Sequence, residues 1–204
     1  MCLCVSKKYY VFEKIKMRSN LNRKNMTHKV QKLWQTLEQQ RLDIFQELAT
    51  KDPSVLNRKP APETWSAFQN LEHLIGVENA SLAYLKKKMS SGGKDIPKAG
   101  IRSWVRWALL RLAFALPTLK FKAPARLPQL PETSEFDDLN KRFAAHRLEF
   151  KAFLDTLSDD LLESELWKHP RAGKMSIAQM LDFFVDHVNR HRKQLRRAIQ
   201  CSSF

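Results

Sequence analysis

The chain has 204 residues, with 36 Lys/Arg against 21 Asp/Glu for a net charge of +15, 43% hydrophobic and 28% charged residues. That length suits one domain with appendages, the balance is that of a soluble globular chain, and five Gly and nine Pro exclude a collagen-like or low-complexity polymer. The most apolar stretch, 101–117, holds Arg102, Arg106 and Arg111 and falls short of the roughly 20 residues of a membrane span.

Residues 1–25 contain seven Lys/Arg and one acid, Glu13, so they hold +6 and leave +9 for the rest. Their apolar run ends at Ser6-Lys7 after five residues, too early for a signal peptide. They read as a loosely ordered basic extension ahead of a domain spanning 26–204. Met17 or Met26 offers an alternative start, and a membrane-surface arm is the competing reading. The three cysteines, Cys2, Cys4 and Cys201, lie near the ends; they cannot staple a core, and their odd number fits reduced thiols in the cytoplasm.

From Met26 onward the pattern predicts an all-α fold of four helices, with nothing that alternates like a strand. Helix one covers about Thr27–Thr50, with Val30, Leu33, Trp34, Leu37, Arg41, Ile44, Phe45 and Leu48 near the i, i+3, i+4, i+7 spacing. Ser66 and Gln69 form a capping box that opens helix two, which runs to about Lys88. Helix three starts near Ser134, with Phe136, Leu139, Phe143, Phe150, Phe153, Leu154 and Leu157 on one side. A second capping box, Ser176 to Gln179, with Met175 and Met180 as a hydrophobic staple, opens helix four, which reaches about Ile199. Each helix is expected to have about 23–24 residues, as a bundle requires.

The linkers predict connectivity. About 15–20 residues join helices one and two, and three and four, which suits antiparallel neighbours. About 45 residues, Met89–Thr133, separate helices two and three, enough to run the length of the bundle and make those helices parallel. This long crossover holds a further helical stretch, Ile101–Leu116, and then an extended return through Pro124, Pro128 and Pro131. Packing over the bundle is favoured, since the arginines share no clean face; a membrane-surface position, to which Trp104 and Trp107 with the scattered arginines point, is the alternative.

Six histidines carry the functional signal. His187 and His191 are one turn apart on helix four, and the stripe of Ile177, Leu181, Phe184, Val188, Leu195 and Ile199 is centred near His191. Inward imidazoles need partners, because burial without them costs roughly 1–3 kcal/mol each. A metal is one such partner, and hydrogen-bonded core histidines are the equally weighted alternative. His73 lies seven residues past the helix-two cap, about 10 Å along the axis, at a depth matching His187 and His191 if helices two and four are antiparallel. The main stripe of helix two points away from His73, so the flank of Val77, Ala80 and Tyr84 must face helix four for the three to meet. Glu78 reads as a supporting group or an inter-helix carboxylate, and His146 as a core histidine or a group facing substrate. His169 and His28 stand outside the site. The sequence His187-Val188-Asn189-Arg190-His191 lacks the glutamate of a zincin, which disfavours a metalloprotease.

Trp65-Ser66…Glu72-His73-Leu74…Glu78, followed by His169-Pro170…Gly173…Ser176…His187…Arg190-His191…Gln194, resembles the two signatures of the DinB-like (DinB/YfiT-like) superfamily over roughly 27–200. The resemblance implies a four-helix bundle in down-up-up-down order, a homodimer, and one divalent metal per chain held by three histidines, here His73, His187 and His191. Zinc or nickel suits that set, as do iron and copper. Three protein ligands leave a position open, as in catalytic zinc sites.

The function implied is a metal-dependent enzyme acting on a small molecule, either a hydrolase or a transferase using a low-molecular-weight thiol. The alternative is a non-enzymatic metal-binding or stress-associated protein. Ergothioneine-type sulfoxide synthases are excluded, since Lys193 stands where they have glutamate. No catalytic base is assigned, with Glu78 and His146 as weak candidates. Nucleic-acid binding ranks last, with no recognisable module behind the positive charge.

Overall fold

The computed structural model describes residues 27–92, 96–115 and 129–201. The basic extension 1–25, Cys2, Cys4 and the return through Pro124 and Pro128 lie outside the described residues. Four long helices form the bundle: α1 (His28–Leu48), α3 (Ala67–Ser90), α5 (Phe136–Leu154) and α7 (Ile177–Cys201). Between them come short α2 (Pro53–Asn57), crossover helix α4 (Ile101–Ala115), short α6 (Asp159–Glu163), and a hairpin of β1 (Trp167–His169) and β2 (Gly173–Met175).

The helices begin where their caps dictate. The Thr27 hydroxyl accepts from the Val30 amide at 3.4 Å at the start of α1. At α3 the Ser66 hydroxyl accepts from the Gln69 amide while the Gln69 side chain accepts from the Ser66 amide. The same reciprocal pair joins Ser176 and Gln179 before α7, at 3.2 and 2.9 Å, and Met175 and Met180 are both fully buried beside it. Each box satisfies two amides that a helix start otherwise leaves open.

Side-chain contacts give the direction of every helix. Glu72 meets Arg142, Glu78 meets Arg147 and Lys86 meets Glu149, so residue numbers rise together and α3 and α5 are parallel. Gln40 meets Asn189 and Glu47 meets Arg192 and Arg196, making α1 and α7 parallel as well. Asn70 meets His191 and His73 meets His187, in falling order, so α3 and α7 are antiparallel. Trp34 packs on Phe150 and Phe45 on Phe136, which sets α1 against α5 in the same sense. The order is therefore down-up-up-down, and the long crossover between α3 and α5 carries the extra helix α4.

The core is apolar and aromatic, centred on Phe68, Phe143, Phe150, Phe184, Leu37, Ile44 and Leu71. Through it runs a buried ionic chain. Arg147 grips both oxygens of Glu78 at 2.7 Å and reaches Glu38 at 3.2 Å, while Arg41 bonds Glu38 and Asn140. These charges are at most 4% exposed, and the Arg147 guanidinium also lies 5.5 Å from the Trp34 ring and 5.1 Å from that of Phe143.

Two expectations are corrected. The long helices have 21, 24, 19 and 25 residues, not a common 23–24. The apolar stripe of α5 runs on to buried Leu157, but the helix stops at Leu154 and Ser158 caps α6 instead. The chain also contains strands. Trp167 pairs with Met175, Lys168 with Lys174 and His169 with Gly173. Three-residue strands are too short to show alternation, and Gly173, at φ +87°, takes a conformation that a side chain disfavours.

Candidate metal centre

The antiparallel pair α3 and α7 builds the centre. One turn on α7 separates His187 from His191, and both are buried on the face turned toward α3. His73 of α3 meets them: its Nε2 lies 3.3 Å from His187 Nε2, and one ring nitrogen from each of the three lies within 4.8 Å of the others. The flank bearing His73 does face α7, while Leu71, Leu74, Ile75, Leu82 and Leu85 turn into the core.

The rings are held in place from outside the cluster. Asn70 donates its side-chain N–H to the Ser66 carbonyl at 2.9 Å, so its Oδ1 is left to accept from His191 Nδ1–H, also at 2.9 Å. That bond fixes the His191 tautomer and leaves its Nε2 as a lone-pair donor. Half-buried Trp65 stacks against His191 at 5.9 Å and sits 4.8 Å from the His73 ring. Phe183 stacks on His187 at 5.2 Å with only 16° between planes.

Electrostatics keeps the trio neutral. Burial pushes His73 down to about 4. Burial, then the nearby His73 and Arg190, takes His191 to about 3. His187 falls well below its usual value through burial first, then through His191, His73 and His169. Neutral imidazole is the form that binds metal. Two neutral Nε2 atoms at 3.3 Å need a proton or a cation between them, and three converging nitrogens are the donor set that zinc, nickel, iron or copper accepts. The residues present fit a divalent ion.

Some residues sit elsewhere than expected. His169, set outside the site by the sequence reading, lies beside it, its ring 4.9 Å from Phe183. Its Nδ1 accepts from the amides of Arg171 and Ala172 at 3.2 and 3.0 Å, which closes the hairpin loop and puts its proton on Nε2. Burial, with Arg171 nearby, holds its pKa down to about 4. The His-Pro…Gly spacing is thus a turn signal as well as a site signal.

Glu78 and His146 belong to the ionic chain. Both Glu78 oxygens are bonded to Arg147, His146 Nε2 lies 3.6 Å from Glu78, and Glu78 is about 140° round α3 from His73. His28 opens α1. Asn70, Trp65 and Phe183 were not predicted as supports; the one legible sign was their position three residues before His73, just ahead of the cap, and four before His187.

Comparison with known proteins bears on the fold and the family. YfiT from Bacillus subtilis, described as a probable metal-dependent hydrolase with an unusual four-helix bundle topology, has a similar fold with a TM-score of 0.51. The match covers 86% of this chain and 89% of YfiT at 16% identity, a likeness of fold alone. An uncharacterized protein of B. subtilis strain 168, YuaE, is 26% identical over 156 residues, or 76% of this chain and 90% of YuaE. The family model for the DinB superfamily matches residues 36–195, a span that takes in all three clustered histidines and both capping boxes. The chain therefore belongs to the DinB superfamily.

Proposed function

We propose that the protein is a divalent-metal-dependent enzyme in which His73, His187 and His191 hold the ion and leave a position open for a small-molecule substrate. The observation that supports this most is the convergence of three buried, neutral imidazoles, one of them oriented by Asn70. When bound, such an ion acts as a Lewis acid, able to lower the pKa of a water or to activate a thiolate.

The chain's own groups supply the rest. Trp65 and Phe183 hold the rings between flat apolar walls and restrict water around them. His169 presents an Nε2–H beside Phe183. A hydrolase is the leading class, supported by the description of YfiT; transfer to or from a low-molecular-weight thiol is the second. Zinc or nickel is the proposed metal. The homodimer implied by the family is proposed as the assembly, and the cytoplasm as the compartment; among the described residues no helix is long and apolar enough to cross a membrane.

One observation favours a non-enzymatic metal-binding or stress-associated protein. Among the described residues no carboxylate or thiol joins the three histidines in one cluster. Metal content by plasma mass spectrometry decides first. Wild type should hold about one equivalent, and a His187→Ala, His191→Ala double variant that keeps its helical circular dichroism should hold none. Absence of metal from wild type after incubation with zinc, nickel and iron would sink both readings. Metal without turnover on ester, amide and thiol-conjugate substrates would leave the non-enzymatic one.

A further inference from the structure

Every carboxylate on the two helices that build the centre is engaged by an arginine of another element. On α3, Glu72 is held by Arg142 and Glu78 by Arg147, both of α5. On α7, Asp182 and Asp186 are held by Arg111 of α4, at 3.2 and 2.9 Å. Among the described residues the fixed charge that bears on His187 and His191 is Arg190, and it is positive. With a divalent ion held by the three neutral imidazoles the local field would be more positive still. Such a site favours a small molecule that brings negative charge.

The hydrogen-bond donors around the centre are not all engaged. His169 is buried, at 9% exposure, and its Nδ1 accepts the amides of Arg171 and Ala172, which leaves the Nε2–H as the other half of the ring. No group among the described residues accepts from that Nε2–H, and it is not sealed from solvent as the ring nitrogens of His146 are. The His169 ring stands 4.9 Å from Phe183, at 71°, and Phe183 stacks on His187 at 5.2 Å. His169 is close enough that a charge on it would act on His187. The indole N–H of half-buried Trp65, which lies against His73 and His191, also has no acceptor among the described residues. Closing the hairpin loop does not by itself call for histidine, since an asparagine oxygen can accept the same amides. Histidine adds a second donor at that place.

We propose that the small molecule taken by this centre is an anion, with one carboxylate accepting a hydrogen bond from His169 Nε2–H and another of its groups at the ion's open position. This rests on the metal reading above and adds a substrate class to it. His169 is then a specificity-determining residue that bonds the substrate at a point away from the ion.

The test uses the full chain loaded with cobalt(II), a spectroscopic stand-in for zinc whose visible absorption changes when a ligand enters. Succinate and glutarate are titrated beside butyrate and valerate, monoacids of the same length that can fill only the ion's position. Wild type should bind the diacids at least about tenfold more tightly, as a hydrogen bond to a charged group implies. His169→Asn keeps the loop acceptor and removes the Nε2–H. It should cut that preference to under about threefold, with cobalt content, circular dichroism and monoacid affinity unchanged.

A preference that survives in the variant is chelation by the ion and overturns the proposal, as does equal affinity or no response to the acids in wild type. If the variant does not fold, the imidazole nitrogen spectrum of zinc-loaded, histidine-labelled wild type decides. The His169 Nε2–H signal should move with glutarate and not with valerate, and a signal indifferent to both overturns the assignment. Cobalt taken up without the preference leaves the metal reading standing, whereas no cobalt uptake sinks that reading and this one with it.

Discussion

At the level of single residues, the histidine trio was legible and its supports were not. His187 and His191 are neighbours by helical period, and His73 joins them by depth from a cap, so short-range arithmetic reaches all three. Asn70 acts across helices on a ring 121 residues away, and no local pattern marks such a partner. Trp65 and Phe183 look like any apolar residue until the rings they touch are known. Because Asn70 sets the tautomer of His191, Asn70→Ala should lower metal affinity by about 10–100-fold with little change in helicity. Competition against a graded chelator would measure this, and an unchanged affinity would mean the ring is oriented without it.

Among elements, the capped starts of α3 and α7 were fixed by Ser-x-x-Gln chemistry written locally, and the structure begins both helices there. The hairpin escaped because its strands are three residues long, and because the loop is closed by a histidine ring accepting two amides rather than by a familiar turn dipeptide. The ionic chain had two signs, Arg41 inside an apolar stripe and Glu78 read as an inter-helix carboxylate; its partners come from three helices and could not be matched in advance. Removing one member of a buried pair leaves a charge without compensation. Arg147→Met should therefore cost about 3–5 kcal/mol in urea unfolding, while the Glu78→Gln, Arg147→Met double variant should recover part of it. A loss below about 1 kcal/mol would show that Glu78 and Glu38 find other partners.

Across the molecule, four buried histidines make stability depend on pH. Their native pKa values lie below the ordinary 6.5, at about 4 for His73 and His169, about 3 for His191, and lower than usual for His187. The unfolded chain therefore takes up protons below pH 6.5 while the native metal-free protein does not, so stability is full above that pH and falls on acidification toward pH 4. Each histidine contributes up to about 1.4 kcal/mol per pH unit in that window. Calorimetry of chelator-treated protein at pH 7.5 and 5.5 should show a lower melting temperature at the acid end, and an unchanged one would mean that the rings are protonated in place. Down-up-up-down order was readable because a 45-residue crossover cannot be a short turn. The path of its last part lies outside the described residues.

The distance in sequence between the two halves of the histidine cluster, 114 residues from His73 to His187, also orders events in time. The pair on α7 can form as soon as that helix does, whereas the third arm arrives only when α3 and α7 dock, a long-range step that is slow to close. On the ribosome α7 emerges after α3, so a nascent chain has no three-armed site until α7 has been made. Tight capture of an ion during refolding would then report the docking of the bundle, and a chelator added before that moment should intercept the ion from a two-armed intermediate.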